Sequence, residues 1–305
     1  MRGAFVKALV DLAERDERVL LLTGDLGFMA LEPFAERFPK RFFNAGVAEQ
    51  NMVGMATGLA EAGFIPFVYS IATFAALRTY EFVRNGPALH GLPVRIVGVG
   101  GGFEYGAAGP THHALEDAGA MRMLPGLTVI SPADHQQTRS AFLATHDVPG
   151  PIYFRLGKDD RTVVPALDGR FTLGKVEVLG DGRDLVIVAM GGIVSEAAAA
   201  IASLAETGIS ATLVVVSTLS PPPEQDLAAV LSRFPRALTV EAHSIVGGVG
   251  SLVAEVVAGG GLFCRVARCG VKPELHGLSG SQKFLEQRHG LSAAAIADAA
   301  RRHLR

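Results

Sequence analysis

Short apolar, β-branched runs alternate with longer segments of helical periodicity along most of the chain. Strands buried on both faces of a parallel sheet are continuous apolar runs of this kind, and helices cover the two faces of such a sheet. The predicted strands are residues 19–24, 66–70, 94–100, 127–132 and 151–156, and then 175–179, 184–190, 211–217, 237–242 and 262–267. The pattern therefore predicts an α/β protein with two doubly wound domains.

A polar segment without either periodicity separates the two series of strands. This segment, residues 157–172, contains Pro165 and Gly169 and has the composition of a linker. We place the first domain at residues 1–157, the linker at 158–172 and the second domain at 173–305.

The composition excludes several classes of protein. The 305 residues include 49% hydrophobic and 19% charged positions, and the net charge of -2 gives no electrostatic reason to expect nucleic acid or an anionic membrane as a partner. No run approaches the roughly 20 apolar residues of a membrane span, and acids come too early for a secretory signal, so a cytoplasmic location is expected. Cys264 and Cys269 are too few for a disulfide framework or a four-cysteine zinc site.

Two glycine clusters fail as nucleotide-binding fingerprints. The glycines at 98–102 follow a predicted strand, but Phe103 stands where the third required glycine should be. The cluster at 248–250 fails in the same way at Val253, and no GxxxxGK[ST] phosphate loop occurs.

An acid stands where a run of small and apolar residues begins, in the stretch NAGVAEQNMVGMATGLAEAGF at residues 44–64. The pattern predicts a helix over about 48–62 with Glu49 in its first turn, where the helix dipole stabilises an acid by roughly 0.3–1 kcal/mol. Gly54 and Gly58 leave one side of this helix bare, which indicates a packing surface. A carboxylate at the buried end of such a helix needs a partner or a proton. Dipole capping and catalysis are both open explanations at this point.

Four stretches, in order, resemble the transketolase family. They are FFNAGVAEQNMVGMATGLAEAGFIPFV (42–68), GPTHHALEDAGAMRMLPGLTVISPAD (109–134), GPIYFRLGK (150–158) and EAHSIVGGVGSLVAE (241–255). The resemblance covers essentially the whole chain, but only the pyrimidine-binding and C-terminal domains of an ordinary transketolase. It implies the separately encoded C-terminal subunit of a split transketolase that depends on thiamine diphosphate (ThDP).

The resemblance also implies a partner. The ThDP diphosphate and its Mg²⁺ or Ca²⁺ would be held by an N-terminal subunit, and an α2β2 heterotetramer is expected. Gly180-Asp181-Gly182 begins like the metal–diphosphate motif, but that motif needs an asparagine some two dozen residues later, and the chain's asparagines are Asn44, Asn51 and Asn85. We therefore expect no metal ligand in this chain and interpret 179–185 as a tight turn.

The resemblance assigns cofactor contacts to six residues. Glu49 matches the glutamate that hydrogen-bonds the ring nitrogen of the cofactor's aminopyrimidine and so favours the imino tautomer that generates the ylide. Phe74 matches the aromatic residue that stacks on the pyrimidine, with core packing as the alternative. The remaining positions are Tyr80 and Phe82, which compete for the next wall of the pocket, and Asp25 and Leu26, in a loop beside the cofactor. Asp25 could instead cap the next helix.

Substrate contacts are implied for three residues. His112 matches the histidine that faces the donor's carbonyl and hydroxyl oxygens and passes protons. His113 adjoins it, either as a second contact or as a solvent-facing neighbour. Arg155 matches an arginine that binds the sugar phosphate, although a strand-terminal arginine paired with an acid would look the same.

The chain departs from the family pattern where sugar hydroxyls and phosphate are gripped. Ala108 replaces the aspartate of Asp-Gly-Pro-Thr-His, a second histidine is replaced within 99–101, and the phosphate-binding serine has no counterpart in 27–34. We therefore expect transfer of a two-carbon ketol or acyl unit to an aldehyde or a specialised sugar. The donor, the acceptor and its phosphorylation are not determined by the sequence.

Other functions stay open. The enzymatic alternatives are the β subunit of a 2-oxoacid dehydrogenase and a deoxyxylulose-phosphate-synthase-like enzyme, and the non-enzymatic one is an inactive scaffold subunit. In the second domain Glu241 and His243 form no catalytic constellation, and we assign that domain to assembly.

Overall fold

A computed structural model describes residues 1–272 and 277–305 and contains two mixed α/β sheets. The regular elements of the first half are α1 (Arg2–Arg15), β1 (Val19–Thr23), α2 (Glu32–Arg37), β2 (Phe42–Asn44), α3 (Glu49–Glu61), β3 (Ile65–Ile71), α4 (Tyr80–Val83), β4 (Arg95–Val99), α5 (Asp117–Arg122), β5 (Thr128–Ile130), α6 (His135–Ala144) and β6 (Ile152–Leu156). Five-residue segments of π-helix, Phe74–Arg78 and Arg84–Ala88, lie on either side of α4.

The second half repeats the alternation. Its elements are β7 (Val176–Leu179), β8 (Leu185–Met190), α7 (Val194–Ala205), β9 (Ala211–Val216), β10 (Thr218–Ser220), α8 (Glu224–Leu231), β11 (Arg236–Ser244), α9 (Val249–Gly259), β12 (Arg265–Val271), α10 (Gln282–Arg288) and α11 (Ala293–Leu304). Strand β12 begins later than the predicted 262–267 because the chain turns through Gly261, which has φ +59°, and leaves Phe263 in solvent.

The first sheet has the strand order β10-β5-β6-β4-β3-β1-β2, and the second has the order β12-β11-β8-β9-β7. All pairs are parallel except β10 with β5 and β7 with β9. The central strands are buried along their whole length, which is why they appear in the sequence as continuous apolar runs. The predicted fold class, two doubly wound α/β domains, is confirmed.

The carboxyl ends of the parallel strands in the first sheet form one edge. From β1 the chain proceeds to β2 on one side, and β3 then pairs with β1 on the other side. Such a reversal opens a crevice at the carboxyl ends of the strands, where α/β proteins bind ligands. The loops after β1, β2, β3, β4 and β6 all leave the sheet at this edge.

The two halves interlock. Strand β10, from the second half, pairs antiparallel with β5 of the first sheet. The sequence did not predict this pairing, because a strand of three residues is too short to show a pattern. His243 on β11 accepts a hydrogen bond from the backbone N–H of Gly119 in α5. The segment 157–172 contains neither helix nor strand, yet Val164 and Leu167 in it are fully buried. No helix in the described ranges is both long and apolar enough to cross a membrane.

Candidate active site

The carboxylate of Glu49 is the centre of the candidate site. Helix α3 begins at Glu49, and the residue is only 1% exposed. Ser70, at the end of β3, donates from Oγ to Glu49 Oε1 at 3.2 Å, and Arg78 donates from Nη1 to Glu49 Oε2 at 2.6 Å. The acid is therefore buried, paired and held at the carboxyl edge of the sheet.

Phe74 and Arg78 lie at the two ends of one π-helical segment that follows β3. The guanidinium carbon of Arg78 lies 4.3 Å from the centroid of the Phe74 ring, within the range of a cation–π contact. Because π-helical turns are rare and concentrate at functional sites, this segment is notable in itself. It brings an aromatic face and a cation to the same carboxylate.

His112 contacts this group through Phe74. Its ring stands nearly perpendicular to the Phe74 ring, at 71° and with 5.1 Å between centroids. Thr111 Oγ1 lies 3.0 Å from His112 Nδ1, and the Tyr105 ring centroid is 6.5 Å from that of the imidazole. Gly109, with φ +85°, begins this turn in a backbone conformation that favours glycine. A chain of contacts thus runs from Glu49 through Arg78 and Phe74 to His112.

Lys158 extends the site beyond Tyr105. Its Nζ lies 4.1 Å from the Tyr105 ring centroid, and its backbone N–H donates to Glu104 Oε2 at 2.5 Å. Burial raises the pKa of Glu104 to about 7. A lysine ammonium therefore lies over the Tyr105 ring, on the loop that leaves β6.

The loop after β1 is fixed by an amide. Asn44 Oδ1 accepts from the backbone N–H groups of Asp25 and Gly46, and Asn44 Nδ2 donates to Asp25 Oδ1, all at 3.0 Å. The carbonyl of Leu26 accepts from Thr23 Oγ1 at 2.8 Å. Asp25 does not cap α2, whose N-terminus has no side-chain cap. Asp25 and Leu26 are held at the same edge as Glu49.

The other two aromatic candidates, Tyr80 and Phe82, differ in their burial. Tyr80 is half-buried and packs on the hydrophobic core, whereas Phe82 is 44% exposed. Arg78 thus connects Phe74 to Glu49. It makes no such connection for Tyr80 or Phe82.

His113 does not face solvent, contrary to one of the two interpretations above. It is buried edge-on against Phe103, with 5.1 Å between ring centroids, and burial lowers its pKa. Its Nε2 has no hydrogen-bond partner among the described residues. The short helical turn Pro110–His112 ends before His113, whose backbone is extended, and the second histidine is buried while His112 contacts Phe74.

Arg155 corresponds to the alternative of a strand-terminal arginine paired with an acid. It is buried, its Nε lies 2.9 Å from Asp117 Oδ2, and its Nη2 donates to the carbonyls of Ala114 and Ala242. Tyr153 donates to the same aspartate at 2.7 Å. In this arrangement the guanidinium joins the two halves of the chain and is not presented to a sugar phosphate.

Three residues of the site escaped the sequence analysis: Arg78, Asn44 and Lys158. A signal existed for two of them. Asn44 is one of three asparagines and ends a β-like run, and Lys158 follows the last strand of the first sheet at its carboxyl end. Arg78 gave no signal, because its approach to Glu49 depends on the π-helical turn.

Comparison with known proteins shows the family to which the chain belongs. A family model described as "Transketolase, pyrimidine binding domain" matches residues 1–162, and one described as "Transketolase, C-terminal domain" matches residues 174–296. The chain belongs to the transketolase family. The predicted membership is therefore confirmed, and with it a subunit of a transferase-type enzyme in a family that depends on ThDP.

Two relatives and one solved structure match nearly end to end. A "Putative transketolase C-terminal section" of Methanocaldococcus jannaschii is 39% identical over 97% of this chain and 94% of its own length. The "6-deoxy-6-sulfo-D-fructose transketolase subunit SqwH" of Clostridium sp. (strain MSTE9) is 36% identical over 98% and 93%. A structure titled "Split gene transketolase, inactive beta4 tetramer" superposes with a TM-score of 0.89 at 36% identity, over 99% of this chain and 97% of that one.

Proposed function

We propose that the chain is the pyrimidine-binding subunit of a split, ThDP-dependent transketolase that transfers a two-carbon ketol unit to an aldehyde or a specialised sugar. The observation that carries this proposal is the buried Glu49 carboxylate, which Arg78 links to the Phe74 ring, with His112 edge-on to that ring. An acid, a flat apolar face and an imidazole are what the reaction requires of this half of the site.

The residues present fit an aminopyrimidine ring. A buried carboxylate that already accepts from a flat cationic group, next to an aromatic face, suits a planar ring with a protonated nitrogen. Glu49 would hold that nitrogen, Phe74 would stack on the ring, and Asp25 and Leu26 would border it. When bound, ThDP supplies a carbon nucleophile that takes up the ketol unit and passes it on.

The other groups act on the substrate. His112 can hold or release a proton at the ring nitrogen that does not face Thr111, where donor and acceptor oxygens would lie. We assign an anionic group of the acceptor to Lys158 and not to Arg155, because the arginine is buried with Asp117 whereas the lysine ammonium lies over Tyr105. In this proposal His113 makes no substrate contact, and Tyr80 and Phe82 make no cofactor contact.

A partner subunit would complete the site. The relatives are described as a section and a subunit of transketolases, which supports an N-terminal partner that holds the diphosphate and Mg²⁺ or Ca²⁺. An α2β2 assembly and the domain limits 1–157, 158–172 and 173–305 remain part of this proposal. Accordingly, the isolated chain should bind ThDP weakly.

The test is to assemble the chain with its N-terminal partner and to measure ketol transfer by Glu49→Gln and Glu49→Ala. Loss of the acid should lower kcat by about 10²- to 10⁴-fold. Glu61→Gln is the matched control, since Glu61 is an exposed acid at the other end of the same helix. Full activity of the Glu49 variants would refute the assignment.

A donor panel separates the enzymatic alternatives. Ketose donors that are converted without release of CO₂ would support the transketolase. Turnover confined to 2-oxoacids, with CO₂ released, would instead indicate a dehydrogenase or a deoxyxylulose-phosphate-synthase-like enzyme. An assembled complex that converts no donor would favour the scaffold.

A further inference from the structure

Arg78 makes both of the contacts that are proposed above for the aminopyrimidine ring. Its Nη1 donates to Glu49 Oε2 at 2.6 Å, and its guanidinium carbon lies 4.3 Å from the Phe74 ring centroid. A guanidinium is planar, cationic and able to stack on an aromatic face, and a protonated aminopyrimidine shares these properties. The same two side chains can satisfy either group, but not both at once.

The buried carboxylate of Glu49 needs a partner of opposite charge. The acid is 1% exposed, and an unpaired carboxylate at that depth is strongly unfavourable. Among the described residues, Arg78 is the one cationic side chain within ion-pair distance of this carboxylate. Ser70 gives Oε1 a neutral donor, which leaves Arg78 to balance the charge.

The side chain of Arg78 is also positioned so that it can move away from Glu49. Its side chain is 36% exposed, so the guanidinium can exchange Glu49 for water, whereas the carboxylate cannot. The neighbouring Thr79 is buried, and its hydroxyl donates to the carbonyl of Ala75 at 2.5 Å, which anchors the backbone of the segment. Motion can therefore be confined to one side chain.

We propose that Arg78 is a positioning residue that occupies Glu49 and Phe74 before the cofactor enters and is displaced from both by the aminopyrimidine ring. Arg78 keeps the buried acid paired and the aromatic face covered until exchange. Because the cofactor has to displace this group, apparent affinity falls in proportion to the fraction of molecules in which the contact is made. This inference rests on the cofactor contacts proposed above.

The test measures cofactor affinity in the assembled complex. ThDP is titrated calorimetrically, with Mg²⁺ present, into complexes that carry wild-type chain, Arg78→Ala or Arg84→Ala. If Arg78 makes its contacts in nine of ten molecules, its removal should tighten ThDP binding about tenfold. Arg84 is the control, because it is an exposed arginine on the next π-helical segment. Its guanidinium donates to Asn85 and not to Glu49. Arg84→Ala should bind ThDP like the wild type.

A second variant, Arg78→Lys, tests the inference if Arg78→Ala does not fold or assemble. Arg78→Lys keeps the positive charge but loses the planar group, so it should bind ThDP with an affinity between those of wild type and Arg78→Ala. Unchanged or weaker binding by the Arg78 variants would overturn the inference, because a residue that only supports the site, or that contacts the bound cofactor, cannot be removed with a gain in affinity.

Glu49→Gln in the same titration separates the two proposals. If Glu49→Gln weakens ThDP binding while the Arg78 variants do not tighten it, the proposed displacement of Arg78 by the cofactor is wrong and the cofactor assignment stands. If Glu49→Gln leaves ThDP binding unchanged, the cofactor assignment itself fails.

Discussion

The imidazole of His112 stands edge-on to the phenyl ring of Phe74, with 5.1 Å between the ring centroids. The two residues come from different loops, one after β3 and one after β4, and meet at the carboxyl edge of the first sheet. The contact orients the histidine, and Thr111 engages its Nδ1. In the proposed function, Nε2 is therefore the atom available to substrate oxygens.

Replacing His112 with phenylalanine should separate orientation from proton transfer. His112→Phe keeps a flat ring against Phe74 but has no nitrogen, so we expect kcat to fall by about 10²- to 10⁴-fold. The affinity for ThDP should not change. Steady-state kinetics and cofactor titration of the assembled complex measure the two quantities. The exposed His90 provides the control variant His90→Phe, and wild-type kcat in His112→Phe would contradict the assignment.

Lys158→Met should act on anionic acceptors selectively. A charge-assisted hydrogen bond contributes about 1.5–3 kcal/mol, so KM for an acceptor with a phosphate or sulfonate group should rise about 10- to 150-fold. KM for an uncharged aldehyde should stay the same, and Lys158→Arg should restore most of the loss. An equal rise in KM for charged and uncharged acceptors would contradict a direct contact, and the exposed Lys40 gives the control Lys40→Met.

The sequence predicted most strands of both sheets, although not β2 or β10, because parallel strands buried on both faces have an unmistakable apolar pattern. It also placed Glu49 in the first turn of α3, because the loss of helical pattern before Ala48 marks the start of that helix. Those features depend on neighbours along the chain.

The partners of buried charges could not be predicted in the same way. Arg155 and Asp117 are 38 positions apart, and nothing local in either segment indicates their ion pair. Arg78 reaches Glu49 through a π-helical turn, whose register differs from the helical period that a sequence pattern reveals. Such contacts depend on how distant segments pack, so the resemblance assigned a substrate role to Arg155 that its surroundings do not favour.

Arg155→Met should therefore act on stability first. Removing one partner of a buried ion pair leaves Asp117 unpaired, at a cost of about 3–5 kcal/mol in the free energy of unfolding. Denaturant titration of the variant measures this loss. Arg37→Met, at an exposed ion pair with Glu14, should lose less than about 1 kcal/mol. A stable Arg155→Met variant with raised KM for phosphorylated acceptors would restore the substrate role.

His243 should make the folded chain sensitive to acid. Its Nδ1 bonds the carbonyl of Ser244 at 2.7 Å and its Nε2 accepts from Gly119 N–H at 3.2 Å, so the fold requires the neutral ring. Burial lowers the pKa of His243 to about 4. Between the ordinary value of about 6.5 and about 4 the unfolded chain binds a proton that the folded chain does not, so stability is lost as the pH falls through this range.

The expected loss is at most about 3 kcal/mol, which is the pKa difference multiplied by 1.36 kcal/mol per unit. It can be isolated by comparing the free energy of unfolding of wild type and His243→Gln between pH 7 and pH 4. The wild type should lose more stability than His243→Gln over this range, because glutamine does not titrate. His90→Gln, at an exposed position, should keep the wild-type slope. Parallel curves for wild type and His243→Gln would mean that His243 titrates alike in the folded and unfolded chain.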